Sequence, residues 1–408
     1  MIVRQYSVDS RYLASMAPVL VRLFLRTFTA NRHAMASMLR VAARRAWRWL
    51  PARLRDRRDG VRMPVTLQVV DDVACRAACA NCTFNGFAVR GPRLAIPDLD
   101  RLFDQALAID VTNLYLMGAD PFYRDDADAF LDLLARHRWQ TFFLFTEGKR
   151  VSEAHLQRIR RAGNIVPVLN IDGRQEATDR RKGDGTFAIV DALLGRLRDL
   201  RIPWFVTTMV SNANHDEVTS PAYLKWLEDR GAWLVAYVPY VPMDVRSDRA
   251  LVLDDARRDG LYDRTVALNR GLRRAAVMDL LGLEQRLTAC PAGVYSMAVW
   301  HDGTVTPCPA VAVGHAASNV RDRDLRDLFL HDPLYVALRA RHRQAGLRGE
   351  RLHCQFFGDP SFLLGWFRQH QGELRVLSPG TLRMLEERAG EGGAPGASSQ
   401  EGAPEAAP

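Results

Sequence analysis

Cysteine is scarce in this chain: six in 408 residues, three of them within residues 75–82 and three within residues 290–354. So few thiols exclude a disulfide-stapled secreted scaffold, and their grouping in threes suits metal ligation in a reducing compartment, so a cytoplasmic protein is expected. Long apolar runs are missing as well. The longest uncharged stretch near the start, residues 12–21, falls well short of the roughly 20 residues a bilayer span needs, and Arg22 and Arg26 interrupt its continuation. No transmembrane helix is expected, and the charged residues before Tyr12 do not make a signal peptide. The third shortage is of acidic residues at the start. Residues 1–62 hold fourteen Arg against three Asp, a surplus of eleven in a chain of net charge +9, so everything after them carries −2. A basic first segment on a near-neutral body argues for an anionic partner of that segment: a lipid surface, nucleic acid or an acidic protein.

With 48% hydrophobic residues, the chain can bury one large core and a smaller module. Between residues 13 and 28, and again over 34–50, apolar residues recur at helical spacing with arginines between them. Such helices either lie in a membrane interface with their apolar face down or pack on the body and leave the arginines in solvent; both readings stay open. Residues 53–60, RLRDRRDG, end the segment as a polar linker.

From residue 65 to about 241, short apolar runs alternate with helical patterns. The runs fall at 65–70, 112–117, 141–145, 165–171, 202–210 and 233–241, and the helices between them at 97–109, 127–137, 152–162, 186–200 and 215–230. Strict alternation predicts right-handed βαβ units and a parallel sheet, and six such units can close into an open barrel. Ligands of such sheets collect beyond the carboxyl ends of the strands.

CRAACANC, Cys75 to Cys82, follows the first run. Its C-x3-C-x2-C spacing can supply three thiolates to a 4Fe-4S cluster and leave the fourth iron open. The alternatives are a zinc site, which would want two C-x2-C pairs, and three unrelated buried thiols. The other strand ends carry Gly118-Ala119-Asp120-Pro121, then Thr146-Glu147-Gly148, then Asn170-Ile171-Asp172-Gly173 followed by Asp179, Arg180, Arg181 and Lys182, and finally Ser211-Asn212. Glycine lets backbone approach a ligand, aspartate accepts from an ammonium group, and arginine forks hold a carboxylate. Each is ordinary turn chemistry taken alone; together they fall at successive strand ends.

CRAACANC, GADP and NIDG with EATDRRKGDGTF resemble the radical S-adenosylmethionine (SAM) superfamily, over most of the chain from residue 65 to the last cysteine. The resemblance implies a partial (β/α)6 TIM-like barrel in which Cys75, Cys79 and Cys82 bind a 4Fe-4S cluster. It implies that the open iron chelates S-adenosylmethionine, and that reductive cleavage gives a 5'-deoxyadenosyl radical that takes a hydrogen atom from substrate. Gly118, Ala119 and Asp120 would meet the methionine amine, Arg180 or Arg181 its carboxylate, and Ser211 or Asn212 the ribose or carboxylate. Asn170 and Asp172 belong to the same set, and Tyr237 or Tyr240 would line the adenine. The chain departs from the usual pattern in three places: Asn81 replaces an aromatic residue before the third cysteine, with Phe84 a candidate substitute; Ala119 and Asp120 replace Gly and Glu; and Glu147 stands where Asn is common.

Further on, CPAGVYSMAVWHDGTVTPC runs from Cys290 to Cys308, with Asp302-Gly303 as a hairpin signal that folds the two thiols together. Cys354 supplies a third. This pattern resembles the SPASM or twitch auxiliary domain, an α+β unit whose relatives carry a second 4Fe-4S cluster on four cysteines; with three here, His353 or Asp359 could complete the fourth iron, or it could stay open to substrate. His301 and His315 read as core or surface residues. The resulting division is a basic amphipathic helical segment over 1–62, a barrel over 63–248, a helical linker over 249–287, an auxiliary cluster domain over 288–388 and a disordered tail over 389–408.

The reading is a radical SAM enzyme, an oxidoreductase or bond-forming enzyme with two clusters, served by a reductant such as flavodoxin or ferredoxin. The basic start suggests a lipid substrate or peripheral attachment at the inner face of a membrane; the auxiliary domain suggests a peptide; a polyol or aminocyclitol is open too. The competing class is a non-catalytic iron-sulfur protein for electron transfer or redox sensing. Nucleic acid as a partner fits the charge but not the thiol spacing.

Overall fold

A computed structural model describes residues 10–73, 75, 79–82, 84, 93–243, 245, 247–280, 290–348, 354, 356 and 360–391. The suggested fourth ligands His353 and Asp359 and the tail beyond residue 391 lie outside the described residues. Among the described residues no helix is long and apolar enough to cross a membrane.

Six strands of near-equal length form the wall of an α/β partial barrel: β1 Thr66–Asp72, β2 Asn113–Gly118, β3 Thr141–Thr146, β4 Ile165–Asn170, β5 Phe205–Val210 and β6 Leu234–Pro239. Each pairs in parallel with the next. Helices α3 Ile96–Ala108, α4 Ala127–Arg136, α5 Glu153–Ala162, α6 Gln175–Lys182, α7 Thr186–Asp199, α8 His215–Val218 and α9 Pro221–Arg230 fill the crossovers. Side chains alternate in β-strands, so one set, including Leu67, Val69, Leu114, Leu116, Phe142 and Leu144, joins the large core beneath the helices. The other set faces the barrel interior, where Tyr115 stacks on Phe143 with centroids 4.7 Å apart and Phe143 meets Phe205 at 5.5 Å.

Two strands extend this wall beyond the six read from sequence. After α10 Asp255–Asn269, residues expected to be a helical linker form β7 Ala276–Asp279, parallel to β6. AVMD is too short and too apolar to reveal its period, so a buried strand there looks like one side of a helix. At the opposite edge β8 Ser296–Trp300 pairs in parallel with β1, Val70 opposite Trp300, and turns through Gly303 into the antiparallel β9 Val305–Thr306. The hairpin expected around Asp302-Gly303 is therefore present, and it continues the barrel sheet. Beyond it lie β10 Val313–His315, α11 Leu325–His331, α12 Pro333–Leu347, α13 Ser361–Gln369, β11 Leu374–Val376 and α14 Pro379–Glu391, with β10 and β11 antiparallel.

The first segment folds as two helices, α1 Ser10–Thr27 and α2 Arg32–Asp59, with Asn31 capping the second through its side chain. Both close the N-terminal end of the barrel, and their arginines do it. Arg22 donates to the carbonyls of Asn269 and Leu272 at 3.2 Å and Arg26 to that of Arg274 at 2.8 Å. Arg44 donates to Leu107 O, while Arg48 and Arg55 grip Asp110 at 2.9 and 2.7 Å. Val19 and Leu23 pack against Leu234, Ala276, Phe205 and Met278. These five arginines thus face the body, the reverse of the packing arrangement considered from sequence, which left them in solvent. Carbonyls at helix C-termini are unpaired acceptors at the negative end of the dipole, and guanidinium forks satisfy them.

Gly163 makes the seat of α2 specific. It caps α5 at φ +72°, and a Cβ there would lie 2.3 Å from the carbonyl carbon of His33. Gly163→Ala is expected to cost about 2 kcal/mol or more, measured as a lower denaturant midpoint with unchanged slope; an unaltered midpoint would mean that α2 is not held against α5.

Candidate active site

At the C-terminal mouth of the barrel, the chain leaves β1 and enters the loop carrying Cys75, Cys79 and Cys82, all partly buried. Three neighbours hold this loop. On one side Ala119 N–H donates to Asp72 O at 2.7 Å, and Gly118 sits so close, at φ +113°, that a Cβ would lie 2.2 Å from the same carbonyl oxygen. Just past that turn Arg124 donates to Asp71 at 2.8 Å, both buried, tying the end of β1 to the segment after β2; burial pushes the Asp71 carboxyl up to about 7 against the pull of Arg124. On the other side Phe84 meets Trp300 of β8 edge to face at 6.4 Å, in a small core with Val70 and Val73. Phe84 is packed on Trp300, while Asn81 takes φ +54°, a left-handed conformation that asparagine tolerates.

The third neighbour is Arg181. Ala80 N–H donates to Arg181 O at 2.9 Å, and Arg181 Nε donates back to Ala80 O at 3.2 Å. Arg181 Nη1 reaches Asn170 Oδ1 at 2.7 Å and also Asp172, whose other oxygen accepts from Met209 N–H at 2.8 Å. Nη2 is left without a protein acceptor among the bonds of this group. The ion pair with Asp172 raises the guanidinium's pKa against the opposing effect of burial. Lys182, also buried, donates its Nζ to Asn170 O, and burial lowers its pKa. Burial raises the Cys79 thiol, and the charges of Lys182 and Arg181 pull it down, so two cations stand under the loop where a cluster bound by three thiolates would carry negative charge.

Arg180 and Arg181, interchangeable in the sequence reading, part company because α6 is helical there. Adjacent residues on a helix point about 100° apart, so Arg180 faces solvent in an i,i+4 pair with Glu176 while Arg181 turns inward. The Glu176/Arg180 spacing was the signal for that helix. Asn212 is likewise turned away: its side chain binds the carbonyls of Ala250 and Val252 and accepts from Asp254 N–H. Ser211 is buried, donating to Asn214 Oδ1 at 3.0 Å. Tyr237 packs in the core beneath the helices and donates to Val218 O, the strand alternation having placed it outside the barrel; Tyr240, past the end of β6, bonds to Ser247 and feels the charge of Arg181, on the mouth side.

The two acidic residues differ as well. Asp120 is buried and its carboxylate accepts from Phe122 N–H at 2.9 Å and from Thr146 Oγ1 and Glu147 N–H, each at 2.8 Å. It braces the turn. Glu147, equally buried, accepts from Tyr123 OH at 2.6 Å through Oε1, while Oε2 has Lys149 Nζ at 3.4 Å and no hydrogen bond. It is a buried carboxylate with one oxygen outside any hydrogen bond.

Cys290, Cys308 and Cys354 all belong to one large apolar cluster that includes Val311, Leu338 and Phe356. Ala310 N–H donates to Cys308 Sγ at 3.3 Å. Against the same segment, His342 on α12 is buried, interacts with the backbone of Ala292, and keeps its Nε2 without a hydrogen bond; burial holds its imidazole down at about 4. Sequence reasoning missed this histidine, whose only signal is its place on the buried stripe Leu334, Leu338, His342. Among the described residues no three His, Cys, Asp or Glu side chains gather closely enough to hold a single metal ion, so the assignment of thiols to clusters rests on spacing, donor chemistry and family.

The profile of the Radical SAM superfamily matches residues 73–220, from the start of the thiol loop to the cap of α9. The chain carries a radical SAM domain. The PqqA peptide cyclase of Ruegeria pomeroyi is 25% identical over 276 residues, covering 65% of this chain and 73% of that protein. Streptococcus suis SuiB bound to its precursor peptide SuiA superposes with a TM-score of 0.59 at 17% identity, over 70% of this chain and 69% of that one. The enzyme anSMEcpe with bound AdoMet and the Cp18Cys peptide gives 0.52 at 14% identity, over 80% and 96%. Residues 73–220 are thus a radical SAM enzyme domain on an α/β partial barrel, and the cofactors of that superfamily are a 4Fe-4S cluster and S-adenosylmethionine. The three thiols after β1 fit that cluster in number and chemistry.

Arg181→Ala removes the partner of a buried carboxylate and is expected to cost about 3 kcal/mol and to lower iron retention after anaerobic reconstitution, whereas Arg180→Ala leaves both unchanged. Equal behaviour of the two variants in an iron assay and a denaturant titration would contradict the division of roles.

Proposed function

We propose that this radical SAM enzyme modifies a peptide, using a second cluster held by Cys290, Cys308 and Cys354. The observation that carries the proposal is that those three residues, distant in sequence, belong to one apolar cluster, joined to the barrel through β8 on β1. The named relatives support a peptide over a lipid or a polyol, since a peptide cyclase and two peptide-bound enzymes are among them.

When bound, the first cluster and S-adenosylmethionine supply reductive sulfonium cleavage and a carbon radical that takes a hydrogen atom from substrate. The chain's own residues position that chemistry. The backbone of Gly118 and Ala119, fixed against Asp72, would face the methionine amine, and Glu147 Oε2, the carboxylate oxygen without a hydrogen bond, would accept from it in place of Asp120, whose oxygens are already bonded. Arg181, oriented by Asn170 and Asp172, has Nη2 left for the methionine carboxylate. Ser211 and Tyr240 stand nearest in role to the ribose and adenine contacts. At the second site His342 Nε2, buried and without a hydrogen bond, would be available as a nitrogen ligand for a fourth iron. Its withdrawal from solvent favours the neutral imidazole that a metal needs. A low-potential donor such as flavodoxin or ferredoxin would supply electrons from outside.

Anaerobically reconstituted protein should hold about eight irons per chain, two four-iron cubanes, falling to about four in Cys290→Ala/Cys308→Ala. Replacing Cys75, Cys79 and Cys82 together should leave about four and abolish 5'-deoxyadenosine formation. In a pool of synthetic peptides with dithionite, 5'-deoxyadenosine should rise and some peptides should lose a pair of hydrogens by mass spectrometry. Four irons in wild type, all lost with Cys75→Ala, would remove the second cluster; cleavage with no altered peptide would remove the peptide.

A further inference from the structure

The outward faces of α1 and α2 are apolar. In most amphipathic helices the apolar stripe packs on the body, but here Arg22, Arg26, Arg44, Arg48 and Arg55 occupy the body side, and the side chains exposed to solvent include Phe24, Leu25, Phe28, Trp47, Leu50 and Leu54. Trp47 is 83% exposed and Phe24 60%. On α1 the exposed residues from Leu20 to Phe28 form a stripe without a charge; on α2, Leu39, Leu50 and Leu54 share a face with Arg53 and Arg57. A contiguous apolar patch on this scale marks an interaction surface.

Charge decides what it meets. Arg32, Arg53, Arg57 and Arg58 are exposed along α2, and Arg53 lies over the Trp49 ring at 4.7 Å. The two aspartates of α2 are turned inward, Asp56 onto Arg55 and Asp59 onto Arg326. The face therefore presents apolar side chains and tryptophans among arginines, with no outward carboxylate among its described residues. A second copy would bring the same cations against each other, whereas a bilayer with anionic headgroups complements them and takes the tryptophans at its interface. We propose that α1 and α2 form a peripheral membrane-binding face for anionic lipid.

This placement has a consequence for orientation. Both helices cap the N-terminal ends of the strands, and the thiol loop lies at the other end of strands about six residues long, some 20 Å away at roughly 3.3 Å per residue. The bound enzyme holds its mouth away from the lipid and open to water-borne substrate.

Flotation of full-length protein with phosphatidylcholine vesicles, with and without phosphatidylglycerol, tests this. Wild type should float with the anionic vesicles and far less with the neutral ones, and raised salt should weaken it. Phe24→Ser/Trp47→Ser/Leu50→Ser should lower partitioning by about tenfold per side chain, and Arg53→Glu/Arg57→Glu by at least about fivefold per residue, with circular dichroism and reductive SAM cleavage unchanged because all five side chains are exposed. Failure of wild type to float, or flotation independent of lipid charge or of the apolar triple variant, would overturn the proposal. So would a concentration-dependent dimer, seen by sedimentation without flotation and broken by the triple variant, which would assign the face to a second copy.

Discussion

Arg181 and Ala80 exchange two hydrogen bonds, and much of the mouth depends on that exchange. The thiol loop has little regular structure of its own, so its position must come from neighbours. Arg181 provides one because it is itself held: Asp172 and Asn170 at the end of β4 fix its guanidinium, and Asp172 is fixed in turn by Met209 N–H. One buried cation thus links β4, β5 and the loop after β1. In a low-dielectric site such a network gains strength as its polar groups are paired: Lys182 donates its ammonium to Asn170 O, and Asp120 accepts through Oδ2 from Thr146 and Glu147 after β3 and through Oδ1 from Phe122 N–H.

The barrel was legible because its signals are local and repeated. Six apolar runs in alternation with helical patterns survive as six strands, and C-x3-C-x2-C marks the mouth without tertiary information. Readings that needed direction fared differently. Tyr237 was a reasonable adenine contact by position, but strand alternation turns it to the helices; Asn212 was a reasonable ribose contact, but it closes the chain leading to α10. Arg180 and Arg181 were indistinguishable until α6 separated them by a third of a turn. Short segments such as Ala276–Asp279 and the parallel docking of β8 on β1 depend on partners distant in sequence, which no local period encodes.

The first 62 residues show the same limit in another form. Composition indicated amphipathic helices; it could not say which stripe faces the body. The answer rests on the carbonyl-rich underside of a barrel, where the chain turns from helix to strand and leaves acceptors that arginine satisfies better than leucine. The apolar stripe is then left for another surface. The protein accordingly has two ends with different chemistry: a cationic, apolar base, and a mouth of thiols, cations and the buried carboxylate of Glu147.

The central claim is that the mouth holds a cluster whose open iron takes the amine and carboxylate of S-adenosylmethionine beside Glu147 and Arg181. Electron-nuclear double resonance of the reduced Cys290→Ala/Cys308→Ala protein, with the cofactor labelled at its amino nitrogen and carboxylate carbon, tests it most directly. The account predicts hyperfine coupling from both labels to the cluster; a reduced cluster that shows coupling from neither would contradict it.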